Sequence, residues 1–319
     1  MRVLVTGGAG YIGTALVARL IAKQHRVTVL DNLTHGGTGL LHFFNHPYFT
    51  FTRGDIRLGE VVRAALVEQD AVVHLAGLVG DPACNRFPGI TRAVNVTATR
   101  YLLQAAQEVG VGRFLFASTN SIYGVTAPGD YADEDTPVNP LSLYAESKAE
   151  AEIAVLEANG PDFTTLVMRF PTVFGIGNSG RPRFDLILNE FVHDALIQGC
   201  LRVYGEQAWR SHVHVSDLAT SIDALLSMPY GRIGGQVVNV PGHNRRKVDL
   251  VEAIREHAPD FQYHTVEGGP DPRDYKVSFR RGMDWGLSAP ISPEMGVAEV
   301  VGILRSGLLG NIDKRYRNA

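Results

Sequence analysis

Apolar runs alternate with segments of helical periodicity through the first half of the chain. The apolar runs predict six β-strands, at Arg2–Val5, Arg26–Leu30, Phe49–Arg53, Ala71–Leu75, Arg113–Ala117 and Thr164–Arg169. The segments between them predict helices, at Thr14–Ala22, Gly59–Val67, Ile90–Val109 and Leu141–Ala158. Strands that alternate with helices form a parallel sheet covered on both faces. The pattern therefore predicts an α/β fold with a doubly wound parallel sheet.

The alternation stops after Phe170. Residues 175–182 have the composition of a loop, and the remainder mixes short helices and strands with many Gly and Pro residues. Gln236–Val240 is β-like and is expected to return to the main sheet. We therefore predict two domains. Residues 1–178 plus about 212–242 would bind a cofactor, and residues 179–211 plus 243–319 would form a smaller α/β domain that holds the substrate.

A glycine-rich segment connects the first predicted strand to the first predicted helix. Gly7, Gly10 and Gly13 allow a tight turn and let a pyrophosphate approach the amides at the helix start. Asp31 ends the second strand, where a carboxylate accepts hydrogen bonds from ribose hydroxyls and repels a 2′-phosphate. This context predicts a Rossmann-type site for NAD rather than NADP. A glycine turn that binds a mononucleotide, or nothing, is the alternative.

Composition excludes several classes of partner. The chain has 319 residues, of which 45% are hydrophobic and 20% charged, as in an ordinary globular protein. A net charge of −3 without a basic run argues against nucleic acid. Cys84 and Cys200 lack CxxC spacing, so neither a disulfide framework nor a zinc site is expected. No apolar run is long enough to span a membrane, and the first strand leaves no room for a leader, so we expect a cytoplasmic protein.

Two polar motifs form a candidate catalytic set. Tyr144 and Lys148 lie four residues apart in a predicted helix and therefore on one face. A tyrosine hydroxyl titrates near pH 10, but an ammonium group and a bound nicotinamide cation would lower its pKa. Ser118 and Thr119 end a strand at the sheet edge where α/β proteins bind ligands. Thr119 would hydrogen-bond a substrate oxygen while Tyr144 exchanges its proton. A surface tyrosine with a solvated lysine is the alternative.

With these motifs, the chain resembles the extended short-chain dehydrogenase/reductases. The resemblance is to their NAD-dependent nucleotide-sugar epimerase/dehydratase group, which includes UDP-galactose 4-epimerase. It covers nearly the whole chain. In order, it rests on Gly7, Gly10 and Gly13, Asp31-Asn32-Leu33, Gly54-Asp55-Ile56-Arg57, His74-Leu75-Ala76-Gly77, Asn95–Thr99, Ser118–Gly124, Tyr144 with Lys148, Arg169, Val173-Phe174-Gly175, Trp209–Asp217 and Asp271–Tyr275.

The resemblance implies roles for individual residues. The catalytic residues would be Thr119, Tyr144 and Lys148. The NAD site would comprise Gly7, Gly10, Tyr11, Ile12, Gly13, Asp31, Asn32, Asp55, Ile56, Leu75, Ala76, Gly77, Asn95, Tyr144 and Lys148. The nucleotide-sugar substrate would be held by Asn120, Asn189, Arg210 and Arg273. Guanidinium groups suit a diphosphate, although a surface ion pair is the alternative for each arginine.

Departures from the family pattern bear on the reaction. In sugar 4,6-dehydratases of the family, acidic residues follow the threonine and move protons during water elimination. Here Asn120 and Ser121 occupy those positions, which disfavours dehydration. Thr172 stands where epimerases of the group have an asparagine that contacts a substrate phosphate. The loop Val79–Asn85 is expected near the sugar, where Cys84 is more simply a small residue than a nucleophile.

We therefore predict an epimerase that acts on a nucleotide-diphosphate sugar, most plausibly at C4 through a transient 4-keto sugar. A one-way 4-ketoreductase or dehydrogenase uses the same three catalytic residues and is the nearest alternative. Reductases of the group often prefer NADPH, which Asp31 argues against. A 4,6-dehydratase and a non-catalytic NAD-binding protein are less favoured, the latter because such relatives commonly lose the catalytic pair.

Two further predictions concern metals and assembly. His212 and His214 alternate on a predicted strand and share a face, but no further ligands at suitable spacing are evident, so no metal is expected. The helices Ile90–Val109 and Leu141–Ala158 carry apolar positions beyond one stripe. In relatives these two helices pack against their copies, so the resemblance implies a homodimer.

Overall fold

The computed structural model describes residues 1–266, 271–310, 312 and 316–318. The predicted second domain also includes residues 267–270, 311, 313–315 and 319, which lie outside the described residues. The strands are β1 Arg2–Thr6, β2 Arg26–Asp31, β3 Phe49–Arg53, β4 Ala71–His74, β5 Arg113–Thr119, β6 Thr164–Phe170, β7 Thr172–Phe174, β8 Cys200–Tyr204, β9 Trp209–His214, β10 Gln236–Asn239, β11 His243–Arg246 and β12 Gln262–Val266. The helices are α1 Tyr11–Ala22, α2 Gly59–Leu66, α3 Asp81–Arg86, α4 Pro88–Arg92, α5 Thr99–Glu108, α6 Leu143–Glu157, α7 Ile187–His193, α8 Val215–Leu226, α9 Tyr230–Ile233, α10 Lys247–His257, α11 Arg280–Asp284 and α12 Pro293–Ser306.

The main sheet has seven parallel strands in the order β10-β6-β5-β4-β1-β2-β3. Successive residues of a strand face opposite sides of the sheet. On β1, Val3 and Val5 accordingly join the core formed with α1 and α8, while Leu4 joins the core formed with α2, α5 and α6. This confirms the predicted doubly wound sheet. The predicted return of the chain is confirmed as well, because β10 pairs with β6 at the edge.

A second hydrophobic core lies beyond the sheet. It is formed by side chains of α7, β8, α10 and α12, among them Leu188, Leu201, Leu250 and Val297. The strands β11, β9 and β7 form a small sheet, and β12 pairs with β8. The helix α8 and the strand β10 pack in the first core, and the division into two domains stays a prediction. No described helix combines the length and apolarity that a membrane span requires.

Three predicted elements differ from the described structure in type or by more than two residues at an end. The helix α1 begins at Tyr11, inside the glycine segment, rather than at Thr14. Where the sequence predicts a single helix, Ile90–Val109, the structure has three consecutive helical segments. These are α4, a π-helical segment at Ala93–Ala98, and α5. The predicted loop Val79–Asn85 contains α3, whose Pro82 lies in the first turn, where a missing N–H costs nothing.

Candidate active site

A cavity of about 1420 Å³ follows the carboxyl edge of the main sheet. Gly7, Asp31, Leu75, Thr119 and Phe170 line it from the ends of β1, β2, β4, β5 and β6. Residues of α7, β8 and the segment Asp271–Tyr275 form the opposite wall. The two regions of the chain therefore enclose one continuous space between the sheet edge and the second core.

The glycine segment places the start of α1 against this cavity. A Cβ on Gly13 would lie 2.3 Å from the carbonyl oxygen of Gly7, and one on Gly7 would lie 2.8 Å from the nitrogen of Ala76. Gly10, the N-cap, has no side-chain cap hydrogen bond, and the first turn has no acidic residue. The first-turn amides and the positive end of the helix dipole are thus available to an anion. Gly7, Gly10, Tyr11, Ile12 and Gly13 all line the cavity.

Asp31 is held as a hydrogen-bond acceptor at the end of β2. Its Oδ1 accepts from the amide of Leu33 at 2.8 Å and its Oδ2 from the amide of Ala9 at 3.0 Å. Burial raises the pKa of Asp31, and these two amides oppose the rise. The carboxylate faces the cavity, where its remaining lone pairs suit hydroxyl donors.

The other predicted cofactor residues of the sheet edge also line the cavity: Asn32, Asp55, Ile56, Leu75, Ala76 and Gly77. Asp55 is paired with Arg57, whose guanidinium lowers the pKa of Asp55 to about 2.

The three predicted catalytic residues meet in the same wall, as Thr119, Tyr144 and Lys148 all line the cavity. The hydroxyl of Ser142 accepts from the amide of Ala145 at 3.3 Å and caps α6, so Tyr144 lies in the first turn of that helix. The oxygen Oγ1 of Thr119 accepts from the amide of Ser121 at 3.1 Å.

Lys148 is buried beneath this group. Its Nζ donates to the carbonyl oxygen of Ala117 at 2.9 Å and lies 4.8 Å from the centroid of the Phe116 ring. Burial lowers the pKa of Lys148 to about 8. The charge of this ammonium group is therefore costly, and it is retained at neutral pH by a small margin.

The pKa of Tyr144 requires a correction to the expectation from sequence. Burial raises it, Cys84 adds to the rise, and the hydroxyl of Thr119 opposes it. The protein alone therefore favours the neutral phenol. The charge of Arg183 also opposes the rise, so a pKa below the usual value requires further positive charge, such as a bound ligand brings.

A buried polar network fixes the wall behind the predicted catalytic residues. The hydroxyl of Ser118 donates to Glu152, which lies one turn after Lys148 on α6. Arg169 donates to Glu152 at 2.8 and 3.1 Å and to the hydroxyl of Tyr123 at 2.9 Å. Because the hydrogen bonds of the buried Arg169–Glu152 pair are satisfied, the pair holds the surrounding strands and helix in one arrangement. Sequence reasoning noted Arg169 only as part of a motif and missed Glu152.

The structure places three predicted ligand-binding residues outside the cavity wall: Asn95, Asn120 and Asn189. The amide of Asn95 accepts from the nitrogen of Leu78 at 2.8 Å and donates to the oxygen of Leu78 and to Ser147. It therefore supports the loop that lines the cavity instead of reaching the cavity. Asn120 is fully buried and donates to Ser211 at 3.1 Å, away from the cavity.

Asn189 is likewise buried and bound to the backbone. Its Oδ1 accepts from the amide of Gly175 at 2.9 Å, and its Nδ2 donates to the carbonyl oxygens of Gly175 and Arg183. Its side-chain donors and acceptor are thus used within the fold. In this arrangement the side chain of Asn189 lies outside the cavity wall, and its contact with a substrate stays a prediction.

Arg210 and Arg273 line the cavity, and both bind Asp271. Arg273 also pairs with Asp81 at 3.0 Å and donates to the hydroxyl of Ser121 at 2.9 Å. Burial alone would raise the pKa of Asp271, but the two guanidinium groups hold it well below its usual range. The two arginines are therefore ion-paired, yet inside the cavity rather than on the surface.

The two histidines of β9 do not reach the cavity. His212 is fully buried, and His214 pairs with Glu299 at 2.9 Å. Within the described part of the chain, no group of three or more His, Cys, Asp or Glu residues is placed to hold a metal ion.

The sheet and the glycine loop define the chain as a Rossmann-type dinucleotide-binding protein. It belongs to the NAD dependent epimerase/dehydratase family, whose model matches residues 3–241.

Among curated proteins, the chain is 32% identical to the low-salt glycan biosynthesis protein Agl12 of Haloferax volcanii over 265 residues, which are 80% of this chain and 82% of the relative. It is 30% identical to UDP-glucuronic acid decarboxylase 1 of Arabidopsis thaliana over 80% of this chain and 58% of that protein.

Two solved structures show the same fold. DesIV, a dTDP-glucose 4,6-dehydratase from Streptomyces venezuelae solved with NAD, has a TM-score of 0.85 at 27% identity and covers 96% of this chain and 97% of its own. The UDP-glucose 4-epimerase of Thermus thermophilus, solved with NAD, has a TM-score of 0.81 at 27% identity and covers 97% of this chain and 100% of its own. Similar proteins thus differ in their reactions.

The cavity fits the cofactor of this family. The glycines leave the room that a diphosphate needs at the start of α1, and Asp31 offers acceptors for ribose hydroxyls.

Proposed function

We propose that this protein is an NAD-dependent epimerase that inverts C4 of a nucleotide-diphosphate sugar through a transient 4-keto sugar. One observation carries the proposal. Thr119, Tyr144 and Lys148 line one cavity in which the next two positions after Thr119 offer no carboxylate. Asn120 is buried behind the wall, and Ser121 presents only a hydroxyl.

The absence of a carboxylate at these positions argues against dehydration. Elimination of water needs a base that removes a proton from C5 and an acid that protonates the leaving hydroxyl. Neither an amide nor a serine hydroxyl performs these steps near neutral pH. Asp81, another carboxylate of the cavity, pairs with Arg273 through its Oδ2 at 3.0 Å, which favours its ionised form and disfavours a role as the acid.

In this proposal the first turn of α1 binds the diphosphate of NAD, and Asp31 binds the ribose of its adenosine half. Asp55 and Ile56 border the adenine, and the loop Leu75–Gly77 runs along the phosphates and ribose. When bound, NAD supplies the group that accepts hydride from C4 and returns it.

The side chains of Thr119, Tyr144 and Lys148 bind the C4 hydroxyl and transfer its proton. The hydroxyl of Thr119 donates to the C4 oxygen, while its own oxygen stays bound to the amide of Ser121. The phenol of Tyr144 exchanges a proton with the C4 hydroxyl. Lys148, held by Ala117, adds the positive charge that favours the phenolate. Because no net redox change occurs, the protein has no need to release its cofactor between turnovers.

The substrate diphosphate is proposed to lie against Arg210 and Arg273. Both guanidinium groups already point into the cavity and share Asp271. A diphosphate offers more charge and more acceptors than a carboxylate, so it replaces part of this pairing on binding. Before the substrate binds, Asp271 holds the two guanidinium groups in position.

We also propose a homodimer formed through α5 and α6. On α6, Ile153 is 59% exposed and borders a groove with Leu103 and Ala154. An exposed isoleucine beside such a groove is consistent with a covered face.

The function is tested by incubating the protein with UDP-, GDP-, CDP- and dTDP-sugars. We expect a C4 epimer to form without net change in the absorbance of reduced nicotinamide. Net consumption of NADH would instead identify a ketoreductase, and a product lighter by one water would identify a dehydratase. Ligands are ranked beforehand by the rise they cause in melting temperature.

A further inference from the structure

Arg181 is a buried cation without an ionic partner among the described residues. Its side chain is 6% exposed and lines the cavity. Its Nη2 donates to the carbonyl oxygen of Arg317 and to the side chain of Asn318 at 2.8 Å, while its Nε has no partner. Burial and the nearby charge of Arg183 lower the pKa of Arg181 to about 10. Asp185 and Asp31 are near enough to oppose this fall in pKa, but neither forms an ion pair with Arg181, so among the described residues this buried guanidinium has no carboxylate in contact with it.

Arg183, two residues later, shows what a neutralised arginine in the same wall looks like. It donates to both oxygens of Asp185, at 2.9 and 2.8 Å. Arg183 is as deeply buried as Arg181, at 8% exposed. The difference is therefore one of partner and not of depth.

The segment before Arg181 is fastened to the beginning of α1. The hydroxyl of Ser179 donates to the carbonyl oxygen of Tyr11 at 2.8 Å, and the amide of Gly180 donates to Thr14 at 3.0 Å. A Cβ on Gly180 would lie 2.4 Å from the Cα of Gly39, so the two backbones are in direct contact. These contacts fix the loop that follows β7 to the first turn of α1, whose amides are available to an anion.

The guanidinium of Arg181 is near enough to Asp31 to act on its carboxylate. The charge of Arg181 opposes the rise that burial causes in the pKa of Asp31. The bonds of Ser179 and Gly180 to α1 bring Arg181, which lines the cavity, beside the first turn of that helix, where a dinucleotide carries its phosphates. A 2′-phosphate is disfavoured there by the carboxylate itself.

We propose that Arg181 is the counter-charge for the diphosphate of the bound dinucleotide. The guanidinium completes an anion site begun by the amides of α1. Because Arg181 comes from the loop that follows β7, it links closure of the second region to retention of the cofactor. The inference does not depend on C4 epimerisation and applies to any reaction at this site.

The test is calorimetric binding to protein freed of cofactor. The ligands are NAD+, ADP-ribose, NADP+ and adenosine, and the variants are Arg181→Gln and Arg181→Lys. We expect Arg181→Gln to weaken NAD+ and ADP-ribose by about tenfold or more, and adenosine by less than about twofold. Arg181→Lys keeps the charge without the fork and should give a smaller loss. Arg202→Gln removes another cavity arginine, on β8, and should leave NAD+ affinity unchanged.

Three results would overturn the proposal. Unchanged NAD+ affinity in Arg181→Gln would show that the guanidinium does not contribute to binding of the diphosphate. An equal loss for adenosine would assign Arg181 a structural role through Asn318. A loss confined to NADP+ would assign it to a 2′-phosphate. If Arg181→Gln does not fold, Arg181→Lys decides by the same comparison of NAD+ with adenosine.

Discussion

The ammonium group of Lys148 illustrates how a proposed catalytic residue lowers the stability of its own fold. Its pKa falls from 10.5 to about 8 because it is buried. Between these two pH values the unfolded chain binds more protons than the folded protein, so the free energy of unfolding rises with pH across this window. Below pH 8 the cost of burying the charge is present in full.

Lys148→Met is therefore expected to stabilise the cofactor-free protein at pH 7 while abolishing turnover. Removing the charge gains on the order of 3 kcal/mol, and losing the hydrogen bond to Ala117 costs roughly 1 kcal/mol. We expect a net gain of about 2 kcal/mol at pH 7 that shrinks towards pH 10, measured by denaturant unfolding. A variant less stable than the parent at pH 7, or a difference independent of pH, would contradict the assignment of Lys148.

Tyr144→Phe separates chemistry from binding. Without the hydroxyl no proton leaves the C4 alcohol, so kcat should fall by about 10³. NAD affinity should stay within about twofold, because the ring and its packing remain. Tyr131→Phe, at a tyrosine 56% exposed on the surface, is the matched control and should match the parent. A Tyr144→Phe enzyme that keeps most of its turnover would end the proposed mechanism.

At the scale of elements, the β1–α1 connection depends on the missing side chain of Gly13. A Cβ there meets the backbone of Gly7 and Gly8 at 2.3 and 2.6 Å. We expect Gly13→Ala to weaken NAD binding by more than about tenfold and to lower the melting temperature. Gly302→Ala on α12 meets nothing within 4 Å and should stabilise the protein by about 0.5–1 kcal/mol. Equal effects of the two substitutions would exclude a steric role for Gly13.

The buried strands could be predicted from sequence because each is a short apolar run. The ends of β1, β2 and β5 then placed Gly7, Asp31 and Thr119 at one edge without further information. Other features depend on contacts between distant segments. The predicted helix Ile90–Val109 contains a π-helical segment, Ala93–Ala98, that its composition does not predict.

Prediction of the candidate site from sequence is limited in the same way, by contacts between distant segments. Residues at strand ends and on α6 were predicted, because topology alone brings them to one edge. Asn95 and Asn189 were assigned to ligands, but their amides meet backbone groups that no motif specifies. Arg181 and Glu152 were missed because their significance comes from the partner each has or lacks in space.

At the scale of the whole molecule, the second region closes the cavity through defined hydrogen bonds. Glu299 on α12 accepts from the amides of Ile176 and Gly177 at 2.9 and 2.8 Å and pairs with His214. The hydroxyl of Tyr11 donates to Gly175 at 2.6 Å from the cofactor side. The loop after β7 thus joins the two cores, and the cavity proposed to hold the substrate lies where they meet.

The proposed dimer is tested on the exposed face of α6. Ile153→Glu places a charge in the groove shared with α5, and its desolvation should disfavour association. Light scattering at micromolar concentration should then give the mass of a monomer, and the parent that of a dimer. Met295→Glu, at an equally exposed position on α12, should remain a dimer. A parent of monomeric mass would contradict the proposed assembly.

The most direct test of the proposed epimerisation is turnover of the preferred nucleotide sugar in D2O, followed by mass spectrometry of the product. A hydrogen that leaves C4 and returns to it never exchanges with solvent. The product should therefore have the mass of the substrate, with no deuterium bound to carbon and an inverted C4. A product that carries solvent deuterium on carbon, or that has lost water or carbon dioxide, would contradict C4 epimerisation.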